Sequence, residues 1–591
     1  MGPVADLQSE WARLVIGSFV QAGVRDAVIS PGSRSTPFVV AALEHDGLRC
    51  VRALDERSGA HYALGQARAT GRPSLVLCTS GSAPANYFPA IVEANEAGVP
   101  LVVLSADRPP EFLSCGANQT TDQPGMYGSH VRFFANLGEP RGDLPSLRAV
   151  KRFATQVVAT AQGPRPGPTH LNAQARKPLE PVTSMEPSAV EVHARVDAIL
   201  GQPSTRLHHA AFVDPSIAEQ VAQAIDAAMR PVILCGPADV RQGAASDTVV
   251  RLAERSGALV VAEAASQFRF GRAARVVLGA FDTIWSADAG RAELAPDFVL
   301  QLGTNPVSKG WERLSIDRRI PRVIVHPWAW ADPSSSAETI VHGDIGDFVE
   351  QLADREYDVR RRDADFKTRF QAAEKVVWET ASAILETAGD ALTEAAVSPA
   401  VADALPEGSA LVLGNSLPIR NVDGWVPPGD KRLRVFAQRG VSGIDGLVSS
   451  AAGVASKERN ATALLVGDVS FLHDVNGLEL ASHASKPLII VVINNGGGRI
   501  FEQLPIARKG KETWLQYFTT PHQANLAGAA SIYGCRFCRA TTVTELNSAL
   551  EAALGYAGCT VVEAIVPARS ALEQGELLAT GVTRTFRRGA S

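Results

Sequence analysis

Short apolar runs alternate along this chain with stretches whose apolar positions recur at helical spacing. Trp11, Leu14, Val15 and Phe19 fall on one helical face, and the runs AVIS (27–30), SLVLCT (74–79) and LVVLSA (101–106) that follow predict strands. Strands separated by helices are the signature of a parallel α/β sheet. The Pro-containing segment from Pro178 to Pro203 breaks that rhythm and reads as a linker. A second set of runs follows, PVILCGPA, ALVVAEAA, FVLQLGTNP and RVIVH. A charged helical stretch, DREYDVRRRDADFKTRFQAAEKVV, then leads to a third set: ALVLGNS, RVFAQRG, ATALLVGDVS, PLIIVVINN and TVVEAIV. The expected fold class is α/β, with three consecutive α/β domains built on parallel sheets. Their expected bounds are 1–187, 188–388 (linker included) and 389–591.

A length of 591 residues fits this division, being too long for one hydrophobic core. With 46% hydrophobic and 20% charged residues the composition is that of an ordinary globular protein. The formal net charge of −5 has no long like-charge runs, which leaves no footprint for nucleic acid or an anionic membrane surface. Apolar runs stay under about ten residues, against the roughly 20 needed to span a bilayer, and the N-terminus lacks a secretory pattern. The expected location is the cytoplasm. Seven scattered cysteines are expected as reduced thiols; Cys535 and Cys538 have the spacing of half a zinc site, but nothing completes it.

In α/β sheets ligands bind beyond the carboxyl ends of the strands. The polar motifs of this chain stand there: AVIS runs into PGSRSTP, SLVLCT into SGSAPAN, LVVLSA into DRPPE, ALVLG into NSLPIR and LLV into GDVS. Any one of these could be a tight turn. Asp468 and Asn495, however, end successive strands 27 positions apart, which leaves room for a crossover helix and places them side by side. A hard divalent ion takes oxygen ligands, and the Asp468 carboxylate, the Asn495 amide oxygen and the Gly497 carbonyl supply three. Glycines let the backbone approach phosphate closely. The pattern points to a metal-diphosphate site.

GDVS followed at this spacing by NNGGG resembles the thiamine diphosphate binding motif, although Val469 stands where that motif usually has Gly. The resemblance implies the thiamine diphosphate-binding fold with a Rossmann-like middle domain, thiamine diphosphate as cofactor, and Mg²⁺ (or Mn²⁺) bridging its diphosphate to the protein. It also implies Glu56, which follows a short strand and opens a helix, as the catalytic acid at the aminopyrimidine ring. A helix N-terminal carboxylate is equally what the helix dipole favours. SPGSRSTP, TSGSAPAN, SADRPPE, CGANQTTDQPGMYGSH, GNSLPIR and RGVSGIDGLVSSAAG are together similar to the 2-succinyl-5-enolpyruvyl-6-hydroxy-3-cyclohexene-1-carboxylate synthase family. In the middle domain the likeness rests on LGTNPVSKGWERL alone.

That family resemblance implies decarboxylation of 2-oxoglutarate and 1,4-addition of the succinyl carbanion to isochorismate, in menaquinone biosynthesis. Both substrates are dianionic, and bidentate arginine is the best carboxylate clamp. Arg34, Arg108, Arg420 and Arg439 are implied for that task, with Ser33, Asn118, Gln119, Ser416, Lys309 and Phe501 beside them. Gln119, Ser416 and Arg420 join Glu56 as expected catalytic residues. Gly467, Ser470 and Ile444 are expected at the cofactor with Asp468, Asn495 and Gly497. The resemblance further implies a homodimer with shared active sites, assembled into a tetramer. Another thiamine diphosphate-dependent decarboxylase, an acetolactate synthase-like carboligase or a non-catalytic cofactor-binding module are the alternatives.

Overall fold

The computed structural model describes the chain except residues 1, 206, 208–212, 318, 510–511 and 590–591. It contains three parallel six-stranded sheets. The first is built from β1 (Asp26–Ile29), β2 (Arg49–Arg52), β3 (Ser74–Cys78), β4 (Leu101–Asp107), β5 (Phe134–Asn136) and β6 (Pro168–Gln174), in the order β2-β1-β3-β4-β6-β5. The second uses β7 (Pro231–Cys235), β8 (Leu259–Ala262), β9 (Val277–Leu278), β10 (Phe298–Leu302), β11 (Arg322–His326) and β12 (Thr339–His342). Its order, β12-β11-β10-β7-β8-β9, is that of a doubly wound dinucleotide-type sheet read from the other edge. The third repeats the first: β13 (Ala410–Leu413), β14 (Arg434–Ala437), β15 (Thr462–Gly467), β16 (Leu488–Asn494), β17 (Arg536–Ala540) and β18 (Cys559–Ile565) run β14-β13-β15-β16-β18-β17.

Central strands such as β3, β4, β7, β10 and β16 are buried along almost their whole length because helices cover both faces. In β16 every residue from Leu488 to Ile493 is buried and only Asn494 is partly open. The second sheet carries two fully buried indoles, Trp285 and Trp311, on its helical layer. Among the described residues no helix is long and apolar enough to cross a membrane.

The contacts divide the chain into two compact units that do not follow chain order. One comprises 1–209, 438–457 and 473–484; the other comprises 210–437, 458–472 and 485–591. In the first unit the helix Glu56–Thr70 packs on the helix Leu447–Ala455 so closely that neither tolerates a side chain at the contact. A Cβ on Gly65 would stand 2.0 Å from the Ser450 carbonyl oxygen, and one on Gly453 2.0 Å from that of Tyr62. The segment expected as a linker holds a helix, Pro187–Leu200, in that same unit. Val196 and Ile199 join the core of the first sheet, and His193 Nδ1 lies 3.0 Å from Glu10 Oε1.

Candidate active site

The carboxyl ends of β13, β15 and β16 frame the site in the second unit. β15 and β16 pair in parallel register, with Gly467 opposite Ile493, so Asp468 and Asn495 emerge from neighbouring strands as their spacing predicts. Asp468 is 2% exposed, and its carboxylate is held from two sides. The Val469 N–H donates to Oδ1 at 2.7 Å and the Gly497 N–H to Oδ2 at 2.9 Å. Burial pushes the Asp468 pKa up; those N–H groups and the nearby His522 pull the other way. His522 Nε2 lies 3.3 Å from Asp468 Oδ2.

The two asparagines that close β16 have different tasks. Asn494 turns back to the sheet, donating to Glu563 Oε1 at 2.7 Å and accepting the Gly496 N–H at 3.2 Å. Asn495 donates its amide N–H to Glu394 Oε2 at 2.9 Å, which leaves Oδ1 buried without a hydrogen-bond partner. The glycines answer a backbone need: Gly496 has φ 74° and Gly497 φ 144°, and a Cβ on Gly497 would meet the Thr519 carbonyl at 2.4 Å.

Asp468, Asn495, Gly497, Gly467, Ser470 and Ser416 line a cavity of about 40 Å³. That is room for a water-sized particle among polar groups. Among the described residues no three His, Cys, Asp or Glu side chains form a metal cluster. The expected set is of a different kind, with one carboxylate, one amide oxygen and one backbone carbonyl. An unsatisfied amide oxygen, a buried carboxylate and a backbone turned by glycine form a hard-oxygen cradle that fits a divalent ion.

Ser416 begins the helix Leu417–Trp425 with φ 73°, a strained value for a residue with a Cβ. Its carbonyl accepts from Arg420 Nη1 at 2.6 Å. Burial lowers the Arg420 pKa, while Asp282, Glu263 and Asp423 act to raise it. The back of this helix is bolted down by Arg269, which is 0% exposed and donates to the Asp423 carbonyl at 2.9 Å. Lys309 is exposed at the start of the helix Lys309–Ser315, and Phe501 packs on Phe518 with ring centroids 5.8 Å apart.

In the first unit, Glu56 opens its helix behind the N-cap Asp55 and accepts from Asn86 Nδ2 at 3.3 Å. Arg34 is 5% exposed and donates to the Ala175 carbonyl at 2.7 Å. The Arg108 backbone N–H donates to Asp107 Oδ1 at 2.7 Å. Gln119 has φ 54° and is laced to Ser80 twice: its Nε2 donates to the Ser80 carbonyl at 3.2 Å, and Ser80 Oγ donates to its carbonyl at 3.0 Å. Ser33 and Asn118 are exposed, while Arg439 and Ile444 are half-buried in the 438–457 segment. Ser33, Arg34, Glu56, Arg108, Asn118, Gln119, Arg439 and Ile444 thus belong to one unit, and Lys309, Ser416, Arg420, Gly467, Asp468, Ser470, Asn495, Gly497 and Phe501 to the other. Sequence reasoning passed over Glu394, Asn421 and His522, which carry no motif of their own. Cys535, Cys538 and Cys559 are free thiols.

Residues 10–126 match the family model described as thiamine pyrophosphate enzyme, N-terminal TPP binding domain, and residues 430–564 match its C-terminal TPP binding domain counterpart. A Mycobacterium smegmatis protein described as a thiamin diphosphate-dependent enzyme shares the fold, with a TM-score of 0.65 at 20% identity over 92% of this chain and 97% of that one. Fold and matched domains together define a thiamine diphosphate-dependent enzyme. A 2-succinyl-5-enolpyruvyl-6-hydroxy-3-cyclohexene-1-carboxylate synthase from Sorangium cellulosum is 43% identical over 95% of this chain and 93% of its own. The synthases of Geobacillus kaustophilus, 39% identical over 95% of each chain, and Halobacterium salinarum, 37% identical over 97% of this chain and 98% of its own, are similar too. The chain belongs to the 2-succinyl-5-enolpyruvyl-6-hydroxy-3-cyclohexene-1-carboxylate synthase family.

Proposed function

We propose the following division of labour for a thiamine diphosphate-dependent transferase of menaquinone biosynthesis, which decarboxylates 2-oxoglutarate and adds the succinyl unit to isochorismate in the 1,4-sense. When bound, thiamine diphosphate supplies the electron sink that lets a 2-oxoacid lose CO₂ and its carbanion equivalent add to an acceptor. Asp468, Asn495 and Gly497 would hold Mg²⁺ (or Mn²⁺) for the diphosphate, with Gly467 and Ser470 beside them. Ile444 would give the cofactor an apolar contact. Glu56 holds the proton at the aminopyrimidine nitrogen. Arg34, Arg108, Arg420 and Arg439 clamp substrate carboxylates, assisted by Ser33, Asn118 and Lys309, with Phe501 as an apolar wall. Gln119 and Ser416, fixed by their backbone bonds, orient the reacting groups together with Arg420. The domain bounds of the reading are 1–187, 188–388 and 389–591. It extends to a cytoplasmic homodimer with active sites shared between copies, paired into a tetramer.

The observation that carries the metal assignment is the unpartnered Oδ1 of Asn495, a residue that lines a small cavity together with the buried Asp468. Purified protein given thiamine diphosphate, Mg²⁺, 2-oxoglutarate and isochorismate is expected to release CO₂ and form the succinylated cyclohexene. Calorimetry is expected to show thiamine diphosphate binding in Mg²⁺ and its loss in EDTA or in Asp468→Ala. Equal affinity with and without chelator would overturn the metal assignment.

A further inference from the structure

The amide group of Asn495 can serve a cation only if its oxygen, not its nitrogen, faces the cavity. Nothing in the asparagine itself decides that, because the two ends of a primary amide are nearly isosteric. The decision lies with Glu394, the first residue of the helix Glu394–Ala404. Glu394 is 1% exposed, its backbone N–H donates to Ser570 Oγ at 3.2 Å, and its carboxylate is shared between two asparagines. Asn421 Nδ2 donates to Oε1 at 3.1 Å, and Asn495 Nδ2 donates to Oε2 at 2.9 Å. A carboxylate accepts and does not donate, so it fixes the nitrogen of each amide toward itself.

The consequence appears on the other side of Asn495. Its Oδ1 is buried and makes no hydrogen bond. An unsatisfied buried acceptor is costly and is rare unless a ligand takes it. Turning the amide over would satisfy nothing: the oxygen would then meet the carboxylate, and an NH₂ group would face the cation site.

We infer that Glu394 is a positioning residue that sets the Asn495 amide so that its oxygen is presented to the divalent ion, with Asn421 holding the other carboxylate oxygen. The inference rests on the metal reading above and adds a part that no motif in the chain marks. Groups that orient metal ligands typically change metal affinity by about 10–100-fold when replaced. Glu394 is therefore expected to matter on that scale without touching the ion.

Mn²⁺ is the probe, titrated by electron paramagnetic resonance of the free ion in the presence of thiamine diphosphate. Glu394→Gln keeps the shape but places one NH₂ group among asparagines that both offer N–H, so one of them must turn. Where Asn495 is the one that turns, Mn²⁺ affinity falls at least about tenfold, and Glu394→Leu, which leaves neither amide an acceptor, is expected to lose as much whichever one turns. Adding Asn421→Asp to Glu394→Gln rebuilds the chain of hydrogen bonds. The carboxylate then at position 421 accepts from the amide nitrogen at position 394, and the amide oxygen at position 394 accepts from Asn495. The double variant is expected to recover Mn²⁺ affinity, which loss of packing alone would not do. The apoprotein melting curve, followed by circular dichroism, confirms that each variant is folded. Wild-type affinity in Glu394→Leu, which leaves the Asn495 amide nitrogen no acceptor, or a double variant as weak as Glu394→Leu, would overturn the inference. Absence of Mn²⁺ binding by the wild type would instead overturn the metal reading beneath it.

Discussion

At the residue scale, the candidate site keeps polar groups in costly environments. Asp468 is buried and Asn495 Oδ1 is unpaired, costs that the proposed cation would offset. Both were legible in the sequence, because a polar pair ending two apolar strands has no role in a core. Glu394 was not, since TEAAV reads as an ordinary helix start and its partners lie 27 and 101 positions away. Glu56 stands between these cases: its place after β2 was readable, its chemistry only through resemblance. Glu56→Gln retains the helix start and the contact with Asn86 while removing the acid. Exchange of the C2 proton of bound thiamine diphosphate is expected to slow by about 10² or more, the usual scale of acid-base catalysis. Unchanged exchange, read by proton NMR after acid quench, would remove Glu56 from that role.

At the element scale, the longer apolar strands were legible, while the short or polar β5, β6, β9, β12 and β17 were not. β6, PTHLNAQ, is buried at every position yet lacks an apolar run. Its side chains form a ladder across the sheet: Ser105 Oγ donates to Asn172 Oδ1 at 2.8 Å and contacts His170 Nε2 at 2.6 Å, while Asn172 Nδ2 donates to Asp107 Oδ2 at 2.8 Å. Such pairing is invisible until the strands are side by side. The Pro-rich stretch hid the helix Pro187–Leu200 for the related reason that its core partners lie far off in sequence. The junction of helix Glu56–Thr70 with the 438–457 segment has its own titratable tie. His61 is 1% exposed, with Nδ1 3.0 Å from the Arg57 carbonyl and Nε2 3.5 Å from Asp445 Oδ2. Burial alone would lower its pKa, but Asp445 and Asp474 more than offset that and raise it above 6.5. A group that holds its proton more tightly when folded stabilises fully below its unfolded pKa and stops doing so as pH climbs through the folded one. The melting-temperature gap between wild type and His61→Gln is therefore expected to be widest below about pH 6.5 and to shrink as pH rises above it. A gap that stays constant across that range would mean His61 contributes packing alone.

At the scale of the whole molecule, three sheets in chain order were readable from the rhythm of strands and helices, but the two compact units were not. Residues 438–457 and 473–484 leave and re-enter the third sheet's part of the chain, yet they belong with the first sheet. Such membership is set by contacts like Gly65 on Ser450, between residues nearly 400 positions apart, and leaves no local trace. The division has a functional edge, because Glu56 lies in one unit and Asp468 in the other. If the active sites are shared between copies, each site takes Glu56 from one chain and Asp468 from its partner. Mixing Glu56→Gln protein with Asp468→Ala protein under conditions of subunit exchange distinguishes the arrangements. A mixed dimer with shared sites contains one site carrying both defects and one carrying neither, so random exchange, which makes half of the dimers mixed, is expected to restore about a quarter of wild-type activity. Sites built within single chains leave every site of that mixture with one defect. No recovery, with exchange demonstrated by mass-labelled subunits, would assign each chain its own complete site.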